Sequence, residues 1–236
     1  MHGLGYSPDS GTLAVVSVGS NSVTLIDAAT NRVKAKVYLG RSPHEAFFTP
    51  DAKELWVTVR GEDYVSVIDP IEMKETGRIK VANGPGMTMF GPDGHYAFVC
   101  SSFTPELAVI DPKSHQIIKR LSQASAFCPN IAVSPENDEV WITLKDLGKV
   151  QVFSASPPFA QKWTLDTGPI TNHVNFANNR NGKFAYCCGE FARSLGSSSD
   201  CRRGTCSKHT VSGLSGGVRP FAFWKTRIPC SLEDES

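Results

Sequence analysis

Neither sign of charge dominates this chain. Its 24 Lys and Arg face 23 Asp and Glu over 236 residues, a formal net charge of +1. That balance leaves no electrostatic footprint for a dedicated polyanion binder. The basic side chains Arg60, Lys80, Arg120 and Lys145 are scattered among acids, so nucleic acid is not an expected partner. Long apolar runs are also missing, which excludes a membrane-spanning helix, and the chain opens without a basic-then-apolar leader. Cysteine is nearly absent from the first 186 residues, where only Cys100 and Cys128 occur; the others are Cys187, Cys188, Cys201, Cys206 and Cys230. None of them falls into CxxC spacing, so a structural zinc site is not indicated. There is no phosphate-cradling glycine loop, no nucleophile elbow and no CxxCH haem attachment.

What the sequence does have is repetition. The phrase LAVVSVGSNSVTLIDAATNRVKAKVYLG, from Leu13 to Gly40, returns 42 residues later as LWVTVRGEDYVSVIDPIEMKETGRIKVANG. An Ile-Asp pair marks the period at Ile26-Asp27, Ile68-Asp69 and Ile110-Asp111, and becomes Phe153-Ser154 in the next copy. A second marker keeps step at Pro8-Asp9, Pro50-Asp51, Pro92-Asp93 and Pro135-Glu136, with Asn178-Asn179 at the following place. Within each unit, short β-branched or aromatic runs alternate with period two and are separated by Gly, Asn, Asp and Pro, which is strand and turn chemistry. The second unit reads as strands near 45–49, 55–59, 64–69 and 75–81. A four-stranded antiparallel sheet of this size cannot bury either face alone, so successive sheets must stack. Radial stacking predicts an all-β fold, a β-propeller of four-stranded antiparallel blades. About four and a half blades are present, with units near 3–40, 44–82, 86–122 and 129–166 and a fifth begun at 172.

The strand-turn-strand text of these units resembles the YVTN family of β-propeller repeats from about His2 to Tyr186. The resemblance implies a ring of seven or a similar number of blades, often periplasmic or extracellular, with no single shared activity. Met1 falls inside strand text, so upstream strands and any export signal are expected to precede it in a longer protein. Past Tyr186 the alternation stops. The stretch 187–236 is an irregular, Cys- and Ser-rich tail. Read one frame over, residues 224–230 can be encoded as L-E-N-E-D-T-V and residues 204–214 as G-D-L-F-Q-A-H-G-I-W-S. We therefore expect the tail to be an out-of-frame translation of further blades, by a frameshift or a sequencing error, rather than an accessory segment.

Propellers bind ligands where the loops entering the innermost strands converge on the channel mouth. His2, His44, Asn130 and His173 each precede a turn marker by five or six residues, and Glu45 and Asn172 adjoin them. Neutral imidazoles on converging loops can share a cation; equally, each can cap a loop or bond a neighbouring carbonyl. The third unit breaks the pattern with Gly86. Glu45 could serve as a base in a calcium-dependent, lactonase-like hydrolase, but a hard cation wants several oxygen ligands and this rim offers few. Channel histidines His44 and His173 also fit a haem-associated oxidoreductase-type propeller. The recurring Asp27, Asp69 and Asp111 are expected to form turns, as are Pro50, Pro92 and Pro135. Phe47, Phe48, Trp56, Phe90, Phe98 and Trp141 are expected to pack between sheets. The favoured function is a non-enzymatic binding or scaffold module offering its rim to a protein, polymer or small ligand. No cofactor is required by the sequence.

Overall fold

The computed structural model of the chain describes residues 2–136, 138–179, 182–189 and 206–207. Strand follows strand. The first sheet is β1 (Leu4–Ser7), β2 (Thr12–Ser17), β3 (Ser22–Asp27) and β4 (Arg32–Tyr38). The second is β5 (Pro43–Phe48), β6 (Leu55–Val59), β7 (Tyr64–Asp69) and β8 (Lys74–Lys80). The third is β9 (Pro85–Phe90), β10 (Ala97–Ser101), β11 (Glu106–Asp111) and β12 (Gln116–Ser122). The fourth is β13 (Ile131–Val133), β14 (Glu139–Leu144), β15 (Lys149–Ser154) and β16 (Gln161–Asp166). A fifth contains β17 (Thr171–Asn179), β18 (Gly182–Gly189) and the short β19 (Cys206–Ser207). Each sheet is an antiparallel meander in chain order. β18 thus continues three residues past Tyr186. The reading of the tail as out of frame concerns residues that, for 190–205 and 208–236, lie outside those described.

The turns are built as their residues dictate. Asp27 Oδ1 accepts from the backbone N–H groups of Ala29 and Thr30. Asp69 Oδ1 does the same for Ile71 and Glu72, and Asp111 Oδ1 for Lys113. The short carboxylate closes the chain on itself at the third-to-fourth-strand turn of the first three blades, and in the fourth Ser154 Oγ accepts from Ser156 N instead. Pro50 opens a turn in which Ala52 N donates to Thr49 O, and Pro92 one in which Gly94 N donates to Gly91 O. Proline presets the first dihedral; Ala52 and Gly94 supply the positive φ that follows, 57° and 69°.

One irregularity recurs with the period. The pairing of third and fourth strands slips between Leu25 and Ile26, Val67 and Ile68, Val109 and Ile110, and Val152 and Phe153. Each slip leaves one residue of the outer strand unmatched, Lys34, Thr76, Ile118 and Lys162 in turn. Such bulges bend the strand and increase its twist.

Apolar side chains on facing sheets interleave. Ala14, Val16, Val23 and Leu25 of the first sheet pack on Leu55, Val57 and Ile68 of the second. Trp56, Val65, Val67 and Ile79 meet Phe90, Ala97, Val99 and Ile110 of the third. Phe98, Cys100, Leu107 and Val109 then meet Val140, Ile142 and Phe153 of the fourth. Trp141, Val150 and Val152 meet Val174 of the fifth, with Phe176 alongside. Of the aromatics expected between sheets, Trp56, Phe90, Phe98 and Trp141 are buried and Phe47 and Phe48 half-buried. The first strands β1, β5, β9, β13 and β17 approach their neighbours in sequence, so they line the inner side of the arc. The fourth strands lie outermost and are the most exposed.

Candidate functional site

In an antiparallel meander the entry to each first strand and the loop after each second strand fall on the same face. His2 precedes β1, His44 and Glu45 open β5, and Arg60 follows β6. Phe103 lies between β10 and β11, and Phe127 between β12 and β13. These six share one rim.

Gly86, at the start of β9, anchors the group. Its carbonyl accepts from His44 Nδ1 at 2.9 Å and from Thr58 Oγ1 at 3.1 Å. A carbonyl can only accept, so His44 carries its proton on Nδ1 and presents a lone pair on Nε2. That lone pair faces Arg60 Nη1 at 3.3 Å. Gly86 is closely packed: a Cβ there would come within 2.4 Å of Ser102 Oγ, which would have to turn aside. The apparent break in the histidine pattern is thus the acceptor that orients His44.

His2 stacks on His44 with ring centroids 3.8 Å apart, and its Nδ1 meets Glu45 Oε1 at 3.0 Å. The three side chains can each offer a ligand atom within 4.8 Å of the others. Burial pushes the His44 imidazole down to about 4, against the raising effect of its bond to Gly86, and the charges of His2 and Arg60 add to the lowering. It is neutral at physiological pH. Burial also raises the Glu45 carboxyl above its usual range, against the lowering effect of His2.

Arg60 is held differently. Its guanidinium carbon lies 5.2 Å from the Phe103 ring centroid and 5.7 Å from that of Phe127, positions from which a cation is attracted to both ring faces. Its Nε is buried and has no hydrogen-bond partner among the described residues. Burial lowers its pKa from the ordinary arginine value, yet a guanidinium stays charged in proteins. The rim therefore combines a neutral imidazole, a half-buried cation with an unused donor, a carboxylate and two phenyl rings.

The remaining residues singled out in the sequence lie on the junction of the fourth and fifth sheets. Asn130 is buried, and its Oδ1 accepts from Val174 N at 3.0 Å, strapping β17 to the fourth sheet. Asn172, at the start of β17, is half-buried and its carbonyl accepts from Thr143 Oγ1 at 3.0 Å; His173 is exposed. Thr143 also accepts from Asn130 N at 3.1 Å. Thr58 acts likewise between the second and third sheets, accepting from Glu45 N and donating to Gly86 O. Between the third and fourth, Cys100 Sγ reaches Cys128 O at 3.5 Å. A polar atom of the second strand thus ties its own blade to the next. His2, His44 and Glu45 come together as one cluster; Asn130 and Asn172 are engaged in these inter-blade bonds. Arg60, Phe103 and Phe127 escape a sequence reading, because their nearness follows from sheet stacking and not from any spacing motif.

Fold and rim together define a class: an all-β assembly of propeller blades with a polar and aromatic cluster on the face where first strands begin. No family model matches the chain, and no curated protein does. Among solved structures it is similar to one titled Kuenenia stuttgartiensis Hydrazine Synthase, with a TM-score of 0.76 at 21% identity. That alignment covers 86% of this chain and 60% of that one. It is also similar to Dihydro-heme d1 dehydrogenase NirN in complex with DHE, with a TM-score of 0.63 at 17% identity, over 80% of this chain and 41% of that one. At these identities the likeness establishes the β-propeller fold. Among the described residues no helix is long and apolar enough to cross a membrane.

Proposed function

We propose that the chain belongs to a YVTN-type propeller that works as a non-enzymatic binding or scaffold module, its rim taking a ligand with an anionic group beside an apolar body. The observation that carries this reading is Arg60: a half-buried guanidinium with an unpartnered Nε, set between two phenyl rings. Taking such a group out of water is costly unless a partner completes its bonds, and a guanidinium is well matched to a carboxylate. The lactonase-like reading draws less support, since the Asn130 oxygen it would use already accepts from Val174 N. The test is thermal denaturation of metal-free protein in EDTA, titrated with benzoate, with glutarate and with an Asp/Glu-rich peptide. A ligand that binds only the folded state raises Tm in a concentration-dependent way. The expected result is a rise with at least one of these probes that is abolished in Arg60→Gln; a rise unchanged in that variant, or no rise with any probe, overturns the reading.

A second reading is favoured by one of the structural relatives, whose title names a haem d1 dehydrogenase. A haem-associated oxidoreductase-type domain would use the exposed His2 or the oriented His44 as an iron ligand. A haemin titration checks it: a Soret shift lost in both His2→Ala and His44→Gln supports this reading, and a shift indifferent to both removes it.

A further inference from the structure

We infer that His2, His44 and Glu45 form a binding site for a divalent transition-metal ion of the zinc type. This inference rests on the reading of the same rim as a ligand-binding surface and names what the rim holds first. The donor set is two imidazoles and a carboxylate whose ligand atoms lie within 4.8 Å of one another. Three protein ligands of these types, with a position left for an outside ligand, suit zinc and its neighbours.

The second observation is how His44 is held. Metal-bound histidines commonly donate their other ring N–H to a carbonyl or carboxylate, which fixes the tautomer and aims the free nitrogen. His44 already has this arrangement, donating from Nδ1 to Gly86 O and leaving Nε2 unprotonated. The carbonyl is itself fixed by Thr58 Oγ1, and Ser102 Oγ packs close to the glycine that bears it.

Arg60 Nη1 stands at 3.3 Å from Nε2, a long hydrogen bond. The guanidinium does not depend on that bond for its place, because the rings of Phe103 and Phe127 flank it. A cation on His44 Nε2 would take the place of this bond and leave the Arg60 donors beside the site. Arg60 is then a positioning residue for an anionic group bound to the metal, which gives the unpartnered Nε a role. The oxygen-poor set disfavours calcium, which takes six to eight oxygen ligands.

The experiment uses the full chain, stripped of metal and titrated with Co2+ and Zn2+ alone, with Ca2+ as the contrast. The expected outcome is binding of one Co2+ with visible d–d absorption and no thiolate-to-cobalt charge-transfer band, displaced by Zn2+ and unaffected by Ca2+. His2 is exposed, so His2→Ala leaves the core alone; it should weaken binding by more than about tenfold, as should Glu45→Gln. His95→Ala, at an exposed histidine paired with Asp93 on the turn after β9, should change nothing. Binding that is equal in wild type and His2→Ala, a charge-transfer band that places the ion on cysteine sulfur, or no binding overturns the inference. Because the anion titrations are run in EDTA, a failure here and a failure of the rim-binding reading are seen separately.

Discussion

The first and second sheets carry nearly the same text and end in different environments. Leu55, Val57 and Ile68 are fully buried, while Leu13, Val15 and Ile26, 42 residues earlier in each case, are half-buried. Neighbouring positions on the same face of the first sheet go further: Leu4, Tyr6 and Val33 are exposed. Each unit has one face for the sheet before it and one for the sheet after it. The second sheet is covered on both faces by described sheets, the first on one. A residue's burial is therefore a property of the stack and not of the unit that encodes it, as expected when stability is a sum of unit and interface contributions.

Substitutions at matched positions of the first and second sheets test that statement. Trp56→Ala, which installs the residue found at Ala14, should have the largest effect, destabilising by about 3–5 kcal/mol in urea denaturation. The indole is fully buried and its Nε1 donates to Glu54 Oε2 at 2.8 Å. Leu55→Ala should cost about 2–4 kcal/mol and Leu13→Ala less than about 1 kcal/mol by the same measurement; equal losses would refute the comparison. Thr58→Val copies Val16 and strips the inter-blade bond to Gly86 O, with an expected loss of about 1–2 kcal/mol. The smallest effect belongs to the exposed turn of the first sheet. The Thr30 backbone bond, first among its causes, lowers the Asp27 carboxyl below its ordinary value of 3.8. A depressed carboxylate stabilises the fold above its unfolded pKa, and that contribution is lost as pH falls through the folded pKa. The gap in denaturation midpoint between wild type and Asp27→Asn should hold near neutrality and close below about pH 4.

The blade itself was legible because alternation and turn residues are local signals. In the second unit the strands expected near 55–59 and 64–69 are the observed β6 and β7, and the flanking strands differ by one or two residues at their ends. Asp27, Asp69 and Asp111 were legible for the same reason, since an aspartate at a strand end bonds its own backbone two residues on. His44 and Glu45 could be placed on the rim by their position before a first strand. What they touch could not, because Gly86 reaches His44 only through stacking of the second and third sheets and His2 reaches Glu45 only through stacking of the first and second. The inter-blade threonines were hidden by chemistry: Thr58 and Thr143 look like ordinary strand residues, and the junction between them uses Cys100.

The slip between third and fourth strands has a consequence for how many molecules behave together. Outermost strands present unpaired amides and carbonyls, the natural template for another chain to add its own strand. Here every outer strand of the four complete blades carries an unmatched residue partway along it, and in two of them that residue is a lysine, Lys34 and Lys162. A neighbour attempting to extend the sheet would lose register within a few residues and, in the first and fourth blades, meet a charge at the point of misfit. The bulge thus sets an obstacle to edge-to-edge strand addition once per period, in the backbone itself.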